Sequence, residues 1–579
     1  MNKSIKRIPS SQENMTGFSS VLNRVYTNRN IKSEDELQYS IANLLPYTDL
    51  KGISGAASII SDAIKNQLSI VIVGDFDVDG ATSTTVAVKA LQSMGAVKVN
   101  FIVPNRFEYG YGLTPEIVAV AVERFSPDVI ITVDNGISSI DGVKKAKELN
   151  LTVVVTDHHL PAATLPIADA IVNPNQHGCS FPSKMLAGVG VIFYVMLAVR
   201  STLRDQSWFV EKNIPEPNLA ELLDLVALGT VADVVPLDYN NRILVSQGLA
   251  RIRSGKVRAG IKSLINVAGR ESSRLIASDF GFAIAPRLNA AGRLEDMSLG
   301  IDCLLSDDIS ESKRIAQQLD EINFARRDIE ADMKQQAMTI LDGMHLGKGV
   351  DNQNENLPFG LCLYDENFHE GVVGIIASRI KDQWNRPVII FAKSDNGLLK
   401  GSGRSIKGFH LRDALDSVAT KYPQLISKFG GHAMAAGLTI AESDYELFTH
   451  SFNTEVKRHL NKDDLQGVIM SDGELLESEF TMTTAEELRY AGPWGQTFQE
   501  PVFDGVFNIM NKRIVGEKHL KMSLQPQGSK FEIDAIAFNV TDEDWSEQVK
   551  QAKIAYRLDV NVFRGNKNLQ LMVEHIEPC

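Results

Sequence analysis

Three carboxylates, Asp75, Asp77 and Asp79, stand at alternate positions in the run Val71-Ile-Val-Gly-Asp-Phe-Asp-Val-Asp-Gly80, where an apolar strand stops and a helix is about to begin. If the backbone stays extended there, alternation throws all three to one side, and a divalent cation relieves their repulsion most simply. The same stretch fits the opening of a calcium-binding EF-hand loop, which needs a bidentate Glu at its twelfth position. That position is Val86, and Leu68 to Val73 reads as a strand rather than an entering helix, so calcium sensing is set aside.

The arrangement recurs. A short apolar run from Ser126 delivers Asp134 into Asp134-Asn-Gly, and Leu151-Thr-Val-Val-Val-Thr delivers Asp157-His158-His159. Helical patterns over Ala81 to Met94 and Asp141 to Leu149 lie between these runs, which implies parallel strands with right-handed crossovers. The acids then share the carboxyl edge of one open α/β sheet, where such sheets bind ligands. Asp233 is embedded in the apolar stretch Leu225-Val-Ala-Leu-Gly-Thr-Val-Ala-Asp-Val-Val-Pro and reads as a fourth strand-end acid. Metal ligation offsets the cost of burying it. Several Asp, an imidazole and no thiolate suit two Mn²⁺ or Mg²⁺ ions, and the chemistry such a pair supports is phosphoester hydrolysis.

These motifs resemble the DHH phosphoesterase superfamily, named for the triplet seen here as Asp157-His158-His159. Within it, Gly-Asp-Phe-Asp-Val-Asp-Gly, Val-Asp-Asn-Gly, Thr-Asp-His-His and Val-Ala-Asp-Val-Val-Pro together are similar to the bacterial exonucleases specific for single-stranded DNA. Gly401-Ser-Gly-Arg404-Ser and Gly430-Gly-His432-Ala-Met-Ala-Ala-Gly437 resemble the substrate-binding (DHHA1-like) domain that accompanies DHH domains. The resemblance implies Asp75 and Asp77 on one metal, Asp79, His158 and Asp233 on the other, and Asp134 between them. Many relatives acting on small substrates carry a His where this chain has Val73, and here Asp75 lies nearer the paired acids. By the same resemblance His159 faces the scissile phosphate and Asp157 orients a neighbouring histidine. It further implies 5′-to-3′ hydrolysis to 5′ mononucleotides in recombination and repair, with a single-stranded-DNA-binding protein and a RecQ-type helicase as partners.

A chain of 579 residues exceeds a single core. The expected parts are an N-terminal extension (1–50), the parallel-sheet DHH domain (51–300), a connecting helix (301–350), a second, smaller α/β domain (355–460) and an OB-like β-barrel (465–579). The apolar run Val189 to Val199 is shorter than the about 20 residues a bilayer requires and reads as a buried helix. The polar N-terminus shows no secretory signal, and Cys179, Cys303, Cys362 and Cys579 stand far apart, which argues for a reducing cytoplasm. From Ser306, the expected N-cap, to about Leu346 the apolar positions recur at helical spacing. A helix of roughly 50–60 Å bridging two domains and a coiled-coil dimer are both consistent with it, although a monomer is expected. Asp351 to Pro358 marks a boundary.

In the second α/β unit Arg404 and Ser402 have the donors to grip a terminal phosphate, Gly430 and Gly431 would let backbone amides approach it closely, and His432 beside them is a further substrate-binding candidate. Arg106 and Arg287, within Asn105-Arg-Phe-Glu-Tyr-Gly-Tyr111 and Pro286-Arg-Leu-Asn-Ala-Ala-Gly-Arg293, are candidates for an arginine-rich approach to the substrate. Tyr109 and Tyr111 fit either base stacking or a core. Period-two stretches at Phe531 to Phe538, Tyr556 to Val562 and Leu569 to Val573 predict the barrel, with Lys512, Arg513, Lys518, His519 and Lys521 as its basic cluster. A net charge of −13 weighs against a nucleic-acid partner without overturning the motifs, because a cleft can be positive within an acidic exterior. Two rival readings remain, a DHH enzyme for small phosphoesters and a non-catalytic DNA-binding relative. The β-rich end speaks against the first and the joint presence of the metal acids against the second.

Overall fold

The computed structural model describes residues 3–9, 17–105, 111–345, 357–516, 519–538, 540, 549–563 and 565–579. Two compact units divide the chain: Pro9–Asn323 with Glu479–Pro501, and Met1–Ile8 with Phe324–Ser478 and Val502–Cys579.

The first unit is built on a parallel five-stranded sheet in the order Val99–Ile102, Ile70–Val73, Val129–Val133, Thr152–Thr156, Ala170–Val172. Ile70–Val73 and Val129–Val133 are buried at every position, which is why they read as continuous β-branched runs rather than alternating ones. The first strand lies between the second and third, so the order reverses beside it and opens a crevice at the carboxyl ends. Helices Val78–Ser93, Gly188–Asp205 and Leu223–Ala232 are almost wholly buried against this sheet and one another. The expected buried helix at Val189 to Val199 is thus the centre of Gly188–Asp205. No described helix is long and apolar enough to cross a membrane.

In the second unit a five-stranded sheet runs Lys428–Gly431, Ala435–Ala441, Leu398–Arg404, Val388–Lys393, Leu361–Tyr364, with only the last pair parallel. Alternation along Val388–Lys393 divides the core: Ile389 and Phe391 meet helices Leu411–Lys421 and Tyr445–His459, while Val388, Ile390 and Ala392 meet helix Val373–Trp384 and the end of the long helix. A closed barrel follows in the order Phe503–Val515, His519–Pro526, Ile533–Phe538, Asn566–Pro578, Gln551–Phe563.

Three features differ from the sequence expectation. The N-terminal extension is not separate: Lys3–Arg7 pairs in parallel with Gly467–Ser471, and Arg7 forks onto the buried Asp504 at 2.9–3.1 Å. Residues 479–501 pack with the first unit, interrupting the expected 465–579 module. The long helix spans Ile309–His345, and its cap is Asp308, whose Oδ1 accepts from Ser310 N (2.7 Å) and Glu311 N (3.1 Å), rather than Ser306. The short, charged side chain of an aspartate competes well with serine for those amides. Ile315, Leu319 and Ile322 of this helix are buried, as are Met333, Ala337 and Leu341, so its apolar stripe is covered by its own chain. The boundary expected at Asp351 to Pro358 lies outside the described residues apart from Leu357 and Pro358.

Candidate metal centre

Extended alternation does not place the first three acids. The strand ends at Val73, and Gly74 turns where a Cβ would sit 2.3 Å from Thr84 Oγ1. Asp77 is the N-cap of helix Val78–Ser93, accepting from Gly80 N at 3.0 Å. Asp79 therefore lies within the first helical turn, 1% exposed, and its two oxygens accept from Gly188 N (2.6 Å) and Val189 N (2.9 Å) at the start of a second helix. Amides at a helix N-terminus stabilise the anion there. Gly188 permits this approach, since a Cβ would meet Asp134 Cβ at 2.6 Å.

Asp134 follows Val129–Val133 with φ 62°, a left-handed conformation that Asp and Asn adopt more readily than other side chains do. Its neighbour Asn135 ties the two central strands together, donating to Val73 O at 3.0 Å and Val133 O at 2.9 Å. Asp157 closes the next strand. Its Oδ1 accepts from His158 N (2.7 Å), His159 N (3.0 Å) and His159 Nδ1 (2.8 Å), and its Oδ2 from Ile137 N (2.9 Å). Asn173 and Asn175 hold the backbone of the histidine pair by donating to His159 O (2.9 Å) and His158 O (2.6 Å). Asp233 is not at a strand end. It is the C-cap of helix Leu223–Ala232, because an apolar run without period fits a buried helix as well as a buried strand.

These elements converge on His158 Nε2, which lies 3.1 Å from Asp134 Oδ1, 3.5 Å from Asp233 Oδ2 and 3.9 Å from Asp79 Oδ2. Ligand atoms of Asp79, His158 and Asp233 all lie within 4.8 Å of one another, and so do those of Asp75, Asp77 and Asp134. Burial and the charge of Asp77 push Asp79 up to about 7, despite the two amides that favour its anion. Burial, then Asp79, raises Asp134 well above the ordinary carboxylate range, and the same two causes act on Asp233. Asp134 Oδ1 is buried and accepts no hydrogen bond among the described residues. Crowded hard oxygens, one imidazole and carboxylates reluctant to ionise without a counter-charge fit a pair of Mn²⁺ or Mg²⁺ ions. For His159, burial opposes the charged form, but the hydrogen bond to Asp157 outweighs it and raises the imidazolium to about 9.

Other candidates divide. Tyr111 lies against the cluster, its hydroxyl 3.3 Å from Asp134 O and its ring edge-on to His159 at 5.9 Å. Arg106 and Tyr109 lie outside the described residues. Arg287 pairs with Asp320 at 2.8 Å and donates to Ala283 O, which fastens its helix to the long one. The useful residues of that motif are Asn289, which accepts from Val78 N at 3.2 Å, and Gly292, where a Cβ would sit 1.9 Å from Phe76 O. Together they clamp the Asp75–Asp79 turn. Sequence reasoning passed over Asn135, Asn173, Asn175 and Asn289, although Asn173-Pro-Asn175 at a strand end was a visible turn signal.

In the second unit Arg404 ends strand Leu398–Arg404 and donates to Ser402 Oγ (3.2 Å) and Gly403 O (2.8 Å). Gly374, in the first turn of helix Val373–Trp384, lets that helix come close, since a Cβ would lie 2.9 Å from Arg404 Nη2 and 3.0 Å from Ser402 Oγ. Burial lowers the Arg404 pKa from its ordinary value. The backbone of His432 donates to Ala435 O at 2.8 Å, in the turn joining Lys428–Gly431 to Ala435–Ala441. On the barrel, Lys521 pairs with Asp534 at 3.1 Å and His519 packs on Phe538, while Lys518 lies outside the described residues.

Comparison with known proteins agrees with this geometry. Residues 69–230 match the N-terminal domain of the DHH family, 358–458 the DHHA1 domain and 471–575 the RecJ OB domain. The chain is 52% identical over 576 residues to the single-stranded-DNA-specific exonuclease RecJ of Dickeya dadantii (strain 3937), covering 99% of each. Its fold is similar to the crystal structure of RecJ from Thermus thermophilus in complex with Mn²⁺, with a TM-score of 0.78 and 27% identity over 96% of this chain and 76% of that one. The Mg²⁺ complex of RecJ from the same organism gives 0.72 and 26%, over 96% and 74%.

Proposed function

The chain belongs to the RecJ family of DHH exonucleases, and from that premise we propose that it degrades single-stranded DNA from the 5′ end, releasing 5′ mononucleotides in recombination and repair. It is a metal-dependent phosphodiesterase. The observation that carries the reading is the gathering of Asp79, Asp134 and Asp233 around His158 at the carboxyl edge of the parallel sheet. In the proposed assignment Asp75, Asp77 and Asp134 hold one cation, and Asp79, His158 and Asp233 the other, with Asp134 shared. When bound, Mn²⁺ or Mg²⁺ supplies the Lewis acidity that phosphodiester hydrolysis needs.

The chain's own groups do the rest. Asp157 fixes the His159 ring through Nδ1, which leaves Nε2 to donate a hydrogen bond to a phosphate oxygen. The amides of Gly188 and Val189 hold Asp79 in one rotamer, so the ligand set is arranged before substrate arrives. On the second unit we assign Ser402, Arg404 and His432 to phosphate binding, where the fork of Arg404 matches a tetrahedral anion better than a lysine would. A monomeric, cytoplasmic enzyme working with a single-stranded-DNA-binding protein and a RecQ-type helicase completes the proposal.

End-labelled oligonucleotides test it. With Mn²⁺ or Mg²⁺, a 3′-labelled single strand should shorten one nucleotide at a time from its 5′ end, while a blunt duplex and an EDTA-treated sample stay intact. Degradation from the 3′ end, or equal attack on duplex, would overturn the reading.

A further inference from the structure

Two backbone irregularities are associated with the helix that Asp233 caps, one directly after it in sequence and one packed on it, and each presents a large apolar side chain to solvent. The first is Val234, directly after Asp233, held at φ 60° and 64% exposed. A β-branched residue is strained in that left-handed conformation, and nothing about burying its side chain compensates, since the side chain is outside. The second is a π-helix, Phe280–Ile284, a rare form that is frequent at functional sites. Its Phe280, Ala283 and Ile284 are buried, but Phe282 is 85% exposed.

The π-helix packs against the helix that Asp233 caps. At Gly281 a Cβ would lie 3.9 Å from Val231 Cγ1, on the helix that Asp233 caps. Immediately downstream, Asn289 and Gly292 clamp the Asp75–Asp79 turn. Phe282 therefore stands on a segment that packs on the helix Asp233 caps and precedes the Asn289–Gly292 clamp. An exposed ring in a fixed position contributes little to folding, yet it offers a flat face to an incoming aromatic group.

We propose that Phe282 is a stacking platform for one unpaired base of the DNA strand that reaches the metal centre. The inference rests on the single-stranded-DNA reading above and adds to it a source of strand selectivity. A base in a duplex is already stacked and paired, so its face is covered, whereas every base of a single strand has a free π-face regardless of sequence. The platform discriminates strandedness without reading sequence.

The test couples the ring to the base. Binding of phosphorothioate-linked, fluorescein-labelled single strands in Mn²⁺ is measured by anisotropy for the full chain and for Phe282→Ala and Phe282→Trp, with one abasic residue moved along the strand. We expect Phe282→Ala to weaken binding roughly 5- to 100-fold, and Phe282→Trp to restore it. One abasic position should weaken the unmodified protein by a similar factor and leave Phe282→Ala unaffected. Affinity for Phe282→Ala within about twofold of the unmodified protein, or abasic penalties that persist in Phe282→Ala, would overturn the platform. A change in sedimentation of Phe282→Ala would also overturn it, assigning this face to a second copy of the chain. Release of nucleotides from ordinary single strands by the unmodified protein is scored separately, so failure of the proposed activity is distinguishable from failure of the platform.

Discussion

Replacing Asp134 by Asn should stabilise the metal-free protein while abolishing its nuclease activity. Asp134 sits at φ 62°, a conformation Asn tolerates as well as Asp does, and its amide oxygen still faces His158 Nε2 at the present 3.1 Å. The substitution therefore changes one thing, the charge. Ligand oxygens of Asp75, Asp77 and Asp134 lie within 4.8 Å of one another, a separation at which each ionised neighbour costs roughly 3–4 kcal/mol at an effective dielectric near 20. Proton uptake caps that penalty. Displacement of Asp79 from 3.8 to about 7 corresponds to about 4 kcal/mol at pH 8. An acid whose folded pKa is raised destabilises the fold above its unfolded pKa, increasingly up to the folded value and constantly beyond. Burial and the neighbouring carboxylates raise Asp134 as well, so Asp134→Asn should gain stability at pH 8, read as a rise in Tm. Near pH 4 the gain should vanish. Differential scanning fluorimetry in EDTA at both pH values, with an exonuclease assay in Mn²⁺, reads out both halves. A metal-free Asp134→Asn less stable than the parent at pH 8, or one with near-normal turnover, would refute the reasoning.

Further predictions concern the groups around the cluster and the barrel. In metal-free protein the His159 imidazole should titrate near 9 by NMR, and Asp157→Asn should return it towards 6.5; the pair stabilises the fold below about 6.5, and that contribution is lost as pH rises through the folded value. Asn289→Ala should cost about 1 kcal/mol in urea denaturation and weaken Mn²⁺ binding roughly tenfold by calorimetry, because it frees the start of the Val78–Ser93 helix. Arg7→Ala leaves the buried Asp504 with Ser471 Oγ at 2.6 Å and should cost about 1–2 kcal/mol at pH 7, less than for a fully buried pair because the Arg7 side chain is half exposed. Burial works against the Asp504 anion, but Arg7 and Ser471 outweigh it and lower its pKa, so this difference should be full above about pH 4 and shrink as pH falls through the folded value.

The parallel sheet and its acidic edge were legible because Gly and Asp punctuate runs of Val and Ile that are buried on both faces, and the barrel because its strands alternate. What was not legible depended on distance in sequence or on competing uses of one residue. The spacing of Asp75, Asp77 and Asp79 looks like a strand, yet Asp77 is taken by the amide of Gly80 as a helix cap, which winds Asp79 into the first turn. The run ending at Asp233 has no period, so strand and helix fit it equally. Pairing of Lys3–Arg7 with Gly467–Ser471 is a long-range register that no local pattern announces. Arg287 is a candidate for the substrate approach by resemblance to the family, and its pairing with Asp320 joins positions too far apart in sequence for a local pattern to announce.

Manganese anomalous scattering from crystals grown with Mn²⁺ addresses the central claim most directly. Two peaks are predicted, both within ligand distance of the Asp134 carboxylate, one beside Asp75 and Asp77 and the other beside Asp79, His158 and Asp233. A single peak, or none touching Asp134, would contradict the shared-carboxylate centre.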